Sequence, residues 1–302
     1  MITLPSMTST QQETTSFATP YRVSTITCNG SIGKNVAEVY LDKLFQHIPI
    51  VSTEENTPGF IYMVDREGKE TKGISPKKEK RAHSKKNKED ESKKRRFDNA
   101  ISGYFQTKQG YYPSVKIFKN GTIQMTGLKQ IEDGMLLHTQ VFEVVKQLIQ
   151  EFPDTVKNTD LECCEFYVRL INSDFSVPFH IRRKDLHQLL ISDHYNNISS
   201  FQPGTYPGVK LQYFWNPSFG KQDGRCHCTE KKCFGKGDGT GEGQCKKVTV
   251  SIFESGKILI TGAINFEQVN QAYEYICKIL QGHQPTLQKC LPPTRQQLAV
   301  NN

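Results

Sequence analysis

"KIFKNGTIQMTG", residues 116–127, returns 135 positions later as "SIFESGKILITG", residues 251–262. At that constant offset Ile117/Ile252, Phe118/Phe253, Gly121/Gly256, Ile123/Ile258, Thr126/Thr261 and Gly127/Gly262 are identical. Two short alternating runs around a glycine-containing turn read as a β-hairpin. The same hairpin written twice predicts an internally duplicated chain.

The surroundings repeat too. Each hairpin is followed by an amphipathic helix, with Leu137, Val141, Val144, Val145, Leu148 and Phe152 at helical spacing in the first copy and Phe266, Val269, Tyr273, Ile276 and Leu280 in the second. Upstream, Tyr21–Asn29 and Glu165–Phe175 read as opening strands, leading into helical patterns over Val36–Ile48 and from Arg183 to about His194. The expectation is an α+β fold of two pseudo-symmetric repeats, each an antiparallel sheet backed by helices on one face.

With 302 residues, 36% hydrophobic and 10% aromatic, the chain has material for a real core. The N-terminal stretch lacks a basic start and an apolar run, and no 18-residue apolar segment occurs, so neither secretion nor membrane spanning is expected. Nine cysteines, an odd number with Cys163 and Cys164 adjacent, favour a reducing compartment over a disulfide frame. Of the formal net charge of +8, Lys77–Arg96 contributes +7, from eleven basic against four acidic residues. Such a run reads as a solvated loop serving solubility, nuclear localisation or phosphate-backbone affinity.

Strand alternation assigns the faces. Val115, Ile117, Ile123 and Met125 point one way; Ser114, Lys116, Phe118, Thr122, Gln124 and Thr126 point the other. The second copy repeats this, with Val250, Ile252, Ile258 and Ile260 against Thr249, Ser251, Phe253, Lys257, Leu259 and Thr261. One face is core, and the other is polar, weakly basic and free of carboxylates, with a phenylalanine at the same place in both halves. Alone, each ring reads as covered by a neighbouring loop. As a symmetric pair they suit wedges that unstack base steps in a minor groove, where Thr, Asn and Gln meet the acceptor edges of A·T pairs.

"IFESGKILITGA" with its following helix, "TYPGVKLQYFW" before it, and "RRFDNAI" with "IFKNGTIQMTG" in the first half resemble the TATA-binding-protein family over about Tyr21–His283. The resemblance implies a saddle of two curved antiparallel sheets backed by helices, binding double-stranded, A·T-rich promoter DNA by its concave face. The family is itself the standing example of minor-groove kinking by aromatic wedges. Carried over position by position, the intercalating rings fall on Phe97, Phe118, Tyr206 and Phe253. Groove contacts fall on Thr126, Thr261, Gln124 and Leu259, and phosphate contacts on Asn120, Ser255, Lys257 and Arg96. The family's central asparagine pair aligns with Arg22 and Leu170, with Asn172 two residues away, so the pair is lost in this register. Asp174, on the parity of Asn172, is hard to place near phosphates.

The repeats differ by about 26 residues inserted in the second half, within "NPSFGKQDGRCHCTEKKCFGKGDGTGEGQCKK". Cys226, Cys228, Cys233 and Cys245 lie there, and the readings are a structural zinc held by four thiolates, an unliganded loop, or a disulfide pair. The segment order is a tail over 1–19, a first repeat over 20–155 with a basic loop at 75–96, a second over 160–284 with the Cys-rich insertion at 217–247, and a tail over 285–302. Such additions resemble the TATA-binding-protein-like factors of large double-stranded DNA viruses. That likeness implies promoter binding as a monomer, bridging by a B-type initiation factor to an RNA polymerase, and residence in the nucleus, a cytoplasmic replication site or the virion. A saddle-fold protein-interaction scaffold is the alternative. No acid pair, nucleophile–base arrangement or phosphate loop stands out, so no enzyme is expected.

Overall fold

The computed structural model describes residues 17–54, 57–76, 99–157, 160–228, 233, 235–239 and 244–290. Arg96, Phe97 and the basic loop from 77 onward lie outside the described residues. The described residues form two compact units, one from Val23–Asn172 with Gly262–Phe266, the other from Ser173–Thr261 with the chain before Val23 and after Phe266.

The first unit carries β1 (Arg22–Lys34), β2 (Glu38–Val39), α1 (Leu41–His47), β3 (Gly59–Val64), β4 (Thr71–Gly73), β5 (Ala100–Gln106), β6 (Ser114–Phe118), β7 (Thr122–Leu128), α2 (Ile131–Glu151) and β8 (Val156–Lys157). It also takes β9 (Asp160–Ser176) as far as Asn172. Its sheet runs β9, β1, β7, β6, β5, β3, β4, while β2 pairs with β8. The alternation of β6 and β7 is reproduced, with Val115, Ile117, Ile123 and Met125 all at 0% exposure. On α2, Leu137, Val141, Val145 and Leu148 are buried with them. His138 is buried on the same helix, its Nε2 3.0 Å from Ser31 O, and burial holds its pKa below the ordinary value.

The helix expected over Val36–Ile48 is shorter. Asn35, at φ 56°, turns the chain out of β1, and Val39 N donates to Lys119 O at 2.7 Å, holding Glu38 and Val39 extended. Only from Leu41 is the backbone free to coil, which buries Leu41, Leu44 and Phe45. β3 and β4, absent from the sequence reading, extend the sheet beyond β5.

The second unit carries α3 (Arg183–Ile191), β10 (Ile198–Gln202), β11 (Tyr206–Trp215), β12 (Lys246–Ile252), β13 (Lys257–Ala263), α4 (Phe266–Gly282) and α5 (Gln284–Leu287). Its strands run β10, β11, β12, β13 and then the end of β9. Val209, Leu211, Val250, Ile252, Ile258 and Ile260 are fully buried, as are Val269, Ala272 and Ile276 of α4 and Leu186 and Leu190 of α3. Order continues past the predicted end of the repeat: Lys289 N donates to His180 O at 2.8 Å, and Ile181 bridges Gln288. At the other end Phe17 packs on Phe179 with ring centroids 5.8 Å apart. No helix among the described residues is long and apolar enough to cross a membrane.

The two hairpin turns look alike but are not equally tolerant. Gly121 and Gly256 have φ of 80° and 81°, where a β-carbon is strained. At Gly121 that carbon would meet the movable Val36 side chain at 2.9 Å, whereas at Gly256 it would meet the carbonyl oxygens of Val177 and Phe179 at 2.5 and 2.6 Å. In urea unfolding, Gly121→Ala is expected to cost about 1–2 kcal/mol and Gly256→Ala at least about 1 kcal/mol more. Equal losses would refute the backbone clash.

Candidate nucleic-acid interface

In the first unit the register aligns polar side chains in rows across the face opposite the helices. Ser102 stands beside Lys116, Lys116 beside Gln124, and Gln124 beside Asn29. Asn29 Nδ2 donates to Tyr167 Oη at 2.9 Å. The neighbouring row is Tyr104, Ser114, Thr126 and Thr27. In it Thr27 Oγ1 donates to Thr126 Oγ1 at 3.3 Å. Phe118, half-buried, lines a depression of about 620 Å³ together with Asn29, Asn120, Thr122, Gln124 and Tyr167. Asn120 holds the turn, its Oδ1 accepting from Thr122 N at 3.2 Å. Partial burial lowers the Lys116 pKa.

The second unit builds the corresponding rows from β10 to β13: Ser200, Lys210, Ser251 and Leu259, then Ile198, Gln212, Thr249 and Thr261. Tyr206 and Phe253 come together with ring centroids 5.8 Å apart, and Lys210 Nζ lies 4.1 Å from the centre of the Tyr206 ring. Gly208 makes room for the pair, since a β-carbon there would lie 2.9 Å from Tyr206 and 3.2 Å from Phe253. Leu259 and Thr261 are half-buried and Ser255 exposed. Glu254 sits off this face, its carboxyl held below the usual range by Lys289, 2.6 Å away, and then by Arg183, also at 2.6 Å.

Two sequence expectations change. The face is not free of carboxylates: Asp174, with a side chain 9% exposed, binds Lys257 Nζ at 3.1 Å and Arg22 Nε at 3.0 Å. Arg22 and Lys257, two of the basic residues near this face, therefore share one carboxylate. The second change concerns the central asparagines. Arg22 only opens β1, and it is Asn29 that stands beside Gln124. Asn29 lies two residues before Ser31, which faces Thr122. Asn172 lies two residues before Asp174, which binds Lys257, the repeat mate of Thr122. The pairing of β1 with β7 shifts register between Ile26 and Thr27. The alternation of Thr27, Asn29 and Ser31 against Ile26, Cys28 and Ile32 was the sequence signal that marked Asn29.

In the insertion, the Sγ atoms of Cys226, Cys228, Cys233 and Cys245 all lie within 4.8 Å of one another. Cys226 to Cys233 is 3.7 Å, and Cys233 to Cys245 and Cys245 to Cys226 are each 3.5 Å. These exceed a disulfide bond of about 2.05 Å. They match the edge of a thiolate tetrahedron about a metal with bonds of about 2.3 Å, which is about 3.8 Å. The cluster also has apolar support, because Phe214 is buried with Cys233 and Cys245, and Phe219 packs beside them. Burial would push Asp223 up, but Arg225 and His227 hold its carboxyl down to about 2.

The family model of transcription factor TFIID, or TATA-binding protein, matches residues 240–283. A TATA-box-binding protein-like protein of Acanthamoeba polyphaga mimivirus is 31% identical over 175 residues, 56% of this chain and 43% of that protein. The TATA-box-binding protein of Emericella nidulans is 26% identical over 164 residues, 54% of this chain and 45% of that protein. These matches span less than half the length of either curated relative. Methanococcus jannaschii TBP aligns in structure with a TM-score of 0.44 and 13% identity, over 87% of this chain and 98% of that one. By sequence the chain is therefore similar to the TATA-binding-protein family, with the family pattern itself lying over β12, β13 and α4 and the wider likeness shared with a viral TATA-box-binding protein-like relative.

Proposed function

We propose that the chain is a transcription-initiation factor that binds double-stranded, A·T-rich promoter DNA in the minor groove. It kinks the duplex with aromatic wedges and is bridged to RNA polymerase by a B-type initiation factor. The observation that carries this reading is that each unit keeps a helix-free face with an aromatic at the same hairpin position, Phe118 in one and Phe253 with Tyr206 in the other. Thr126, Thr261, Gln124, Asn29 and Asn172 supply short hydrogen-bonding groups for A N3 and T O2. Insertion of the rings offsets its unstacking cost through the added contact with bent DNA. Phe97, Arg96 and the basic loop would extend the contacts. The protein works without chemistry of its own, as a monomer on DNA, in the nucleus or at a viral replication site.

The bound acid favours a second reading, in which the faces hold a protein and no longer bend DNA. Fluorescence-resonance bend analysis on end-labelled duplexes from a random pool separates the two. Phe118→Ala/Phe253→Ala is expected to abolish bending while retaining salt-sensitive binding through the basic residues. Binding by wild type with no bending would favour the scaffold.

Asp174 gives an independent check. If it restrains Arg22 and Lys257, then Asp174→Asn frees two cations for phosphates. Affinity should rise, and the slope of log K against log salt should steepen by about 1–2. An unchanged slope would show that neither cation reaches DNA.

For the thiol cluster we infer one zinc ion, held by Cys226, Cys228, Cys233 and Cys245, serving as a structural crosslink that replaces the core an insertion of this size lacks. Elemental analysis of reduced protein should give about one zinc per chain, and Cys233→Ser should release it more readily to a chelator. Metal-free protein with Cys226–Cys233 or Cys233–Cys245 disulfides in its peptide map would overturn this assignment.

A further inference from the structure

The polar row of the first unit does not end at Asn29. In that sheet β1 is flanked by β9, and Tyr167 of β9 continues the row through its hydrogen bond with Asn29. Ser102, Lys116, Gln124, Asn29 and Tyr167 therefore form one line across the helix-free face. Asn29 is only 8% exposed, whereas Tyr167 is 50% exposed, and both line the depression that holds Phe118. At this point of the row the group a ligand meets is the phenol. Tyr167 belongs neither to the duplicated hairpins nor to the positions carried over from the family resemblance.

The bond to Asn29 decides how that phenol can be used. A tyrosine hydroxyl can both donate and accept. Here Asn29 Nδ2 donates to Tyr167 Oη at 2.9 Å, so the oxygen is already accepting. The hydroxyl hydrogen has no acceptor among the described residues. The orientation of the amide has a physical reason. Asn29 Oδ1 is buried without a partner among the described residues, and the reverse orientation would bury an NH2 group with two unpaired hydrogens in its place.

The surroundings admit a polynucleotide. Among the described residues lining the depression, the carboxylate of Glu38 is bound by Lys119 Nζ at 2.9 Å, and the polar remainder includes Asn99, Asn120, Thr122 and Gln124. Minor-groove edges differ in what they offer to a phenol placed there. A·T pairs show only the acceptors A N3 and T O2, while G·C adds the N2 amino donor of guanine. A hydroxyl held as a donor matches the first and meets donor with donor at the second.

We propose that Tyr167 is a base-reading residue of the first unit, its hydroxyl donating to A N3 or T O2. Asn29 is its positioning residue, keeping the hydroxyl a donor and so selecting A·T over G·C at one base pair. This rests on the DNA-binding reading and gives it a specificity determinant outside the hairpins.

The test measures binding and bending by the full chain on the duplex it enriches from a random pool. Single pairs of that duplex are then replaced by G·C, or by inosine·cytosine, which lacks the N2 amino group. Wild type should lose affinity at one pair with G·C and recover it there with inosine·cytosine. Tyr167→Phe, which keeps the ring, should shrink the G·C penalty at that pair by about threefold to tenfold. Penalties at the other pairs, and the bend, should stay in place. Asn29→Leu, which frees the hydroxyl to accept, should shrink the same penalty. An unchanged penalty in either variant, or an equal loss of affinity on every duplex, overturns the proposal while the DNA-binding reading stands. Failure of the wild type to bind any duplex overturns both.

Discussion

A β-strand cannot present the same side to water and to core at adjacent residues, and both candidate surfaces of this chain descend from that constraint. Burying Val115, Ile117, Ile123 and Met125 obliges Lys116, Phe118, Gln124 and Thr126 to face away from the helices. Burying Val250, Ile252, Ile258 and Ile260 does the same for Ser251, Phe253, Leu259 and Thr261. A single-residue slip would exchange the sets, so the cores fix the register and the register fixes the rows. The positions of Phe118 and Phe253 are thus secured by packing on the opposite face.

This is why the hairpins were legible in the sequence down to their facing residues, whereas the opening strands were legible as strands but not in their register. Turn glycines and alternation are local signals, and Gly121 and Gly256 punctuate both copies. In β1 the register shift between Ile26 and Thr27 resets the alternation midway, and only beyond it do Thr27, Asn29 and Ser31 stand beside Thr126, Gln124 and Thr122. Asp174 was visible as an acid on an awkward parity, but its resolution depends on Lys257, 83 positions along the chain. The four cysteines were legible as a group, while their anchorage on Phe214 needed the fold. β3 and β4 announced themselves by no repeat, since the second copy has β10 at the corresponding edge and reaches it by a different connection.

At the matched hairpin positions, Tyr206 and Phe253 support each other, with Gly208 clearing the space and Lys210 over the tyrosine ring. Phe118 lines a polar depression that includes Tyr167 and Asn29. The pairing of the second unit's rings depends on the small residue at 208, where a β-carbon would press on both.

The insertion shows how a segment poor in apolar residues is tied to a sheet without weakening it. β11 runs on to Trp215 against β12, so Phe214 lies at the end of a fully paired strand and faces the thiol cluster. From that anchor the chain returns past Tyr213, where Phe214 N donates to Gly224 O at 3.0 Å, and Lys247 N closes the far end on Gly237 O at 2.7 Å. The glycines at 224, 235, 237 and 239 all adopt positive φ, the backbone region in which glycine carries no β-carbon strain. Ends fixed on one strand pair leave little closure entropy to overcome. What remains is to hold the middle, and four thiols brought to tetrahedral spacing over a buried phenylalanine are the chemistry suited to it. The same tethering packs Gly224 on Tyr213, two residues before the first cysteine of the cluster.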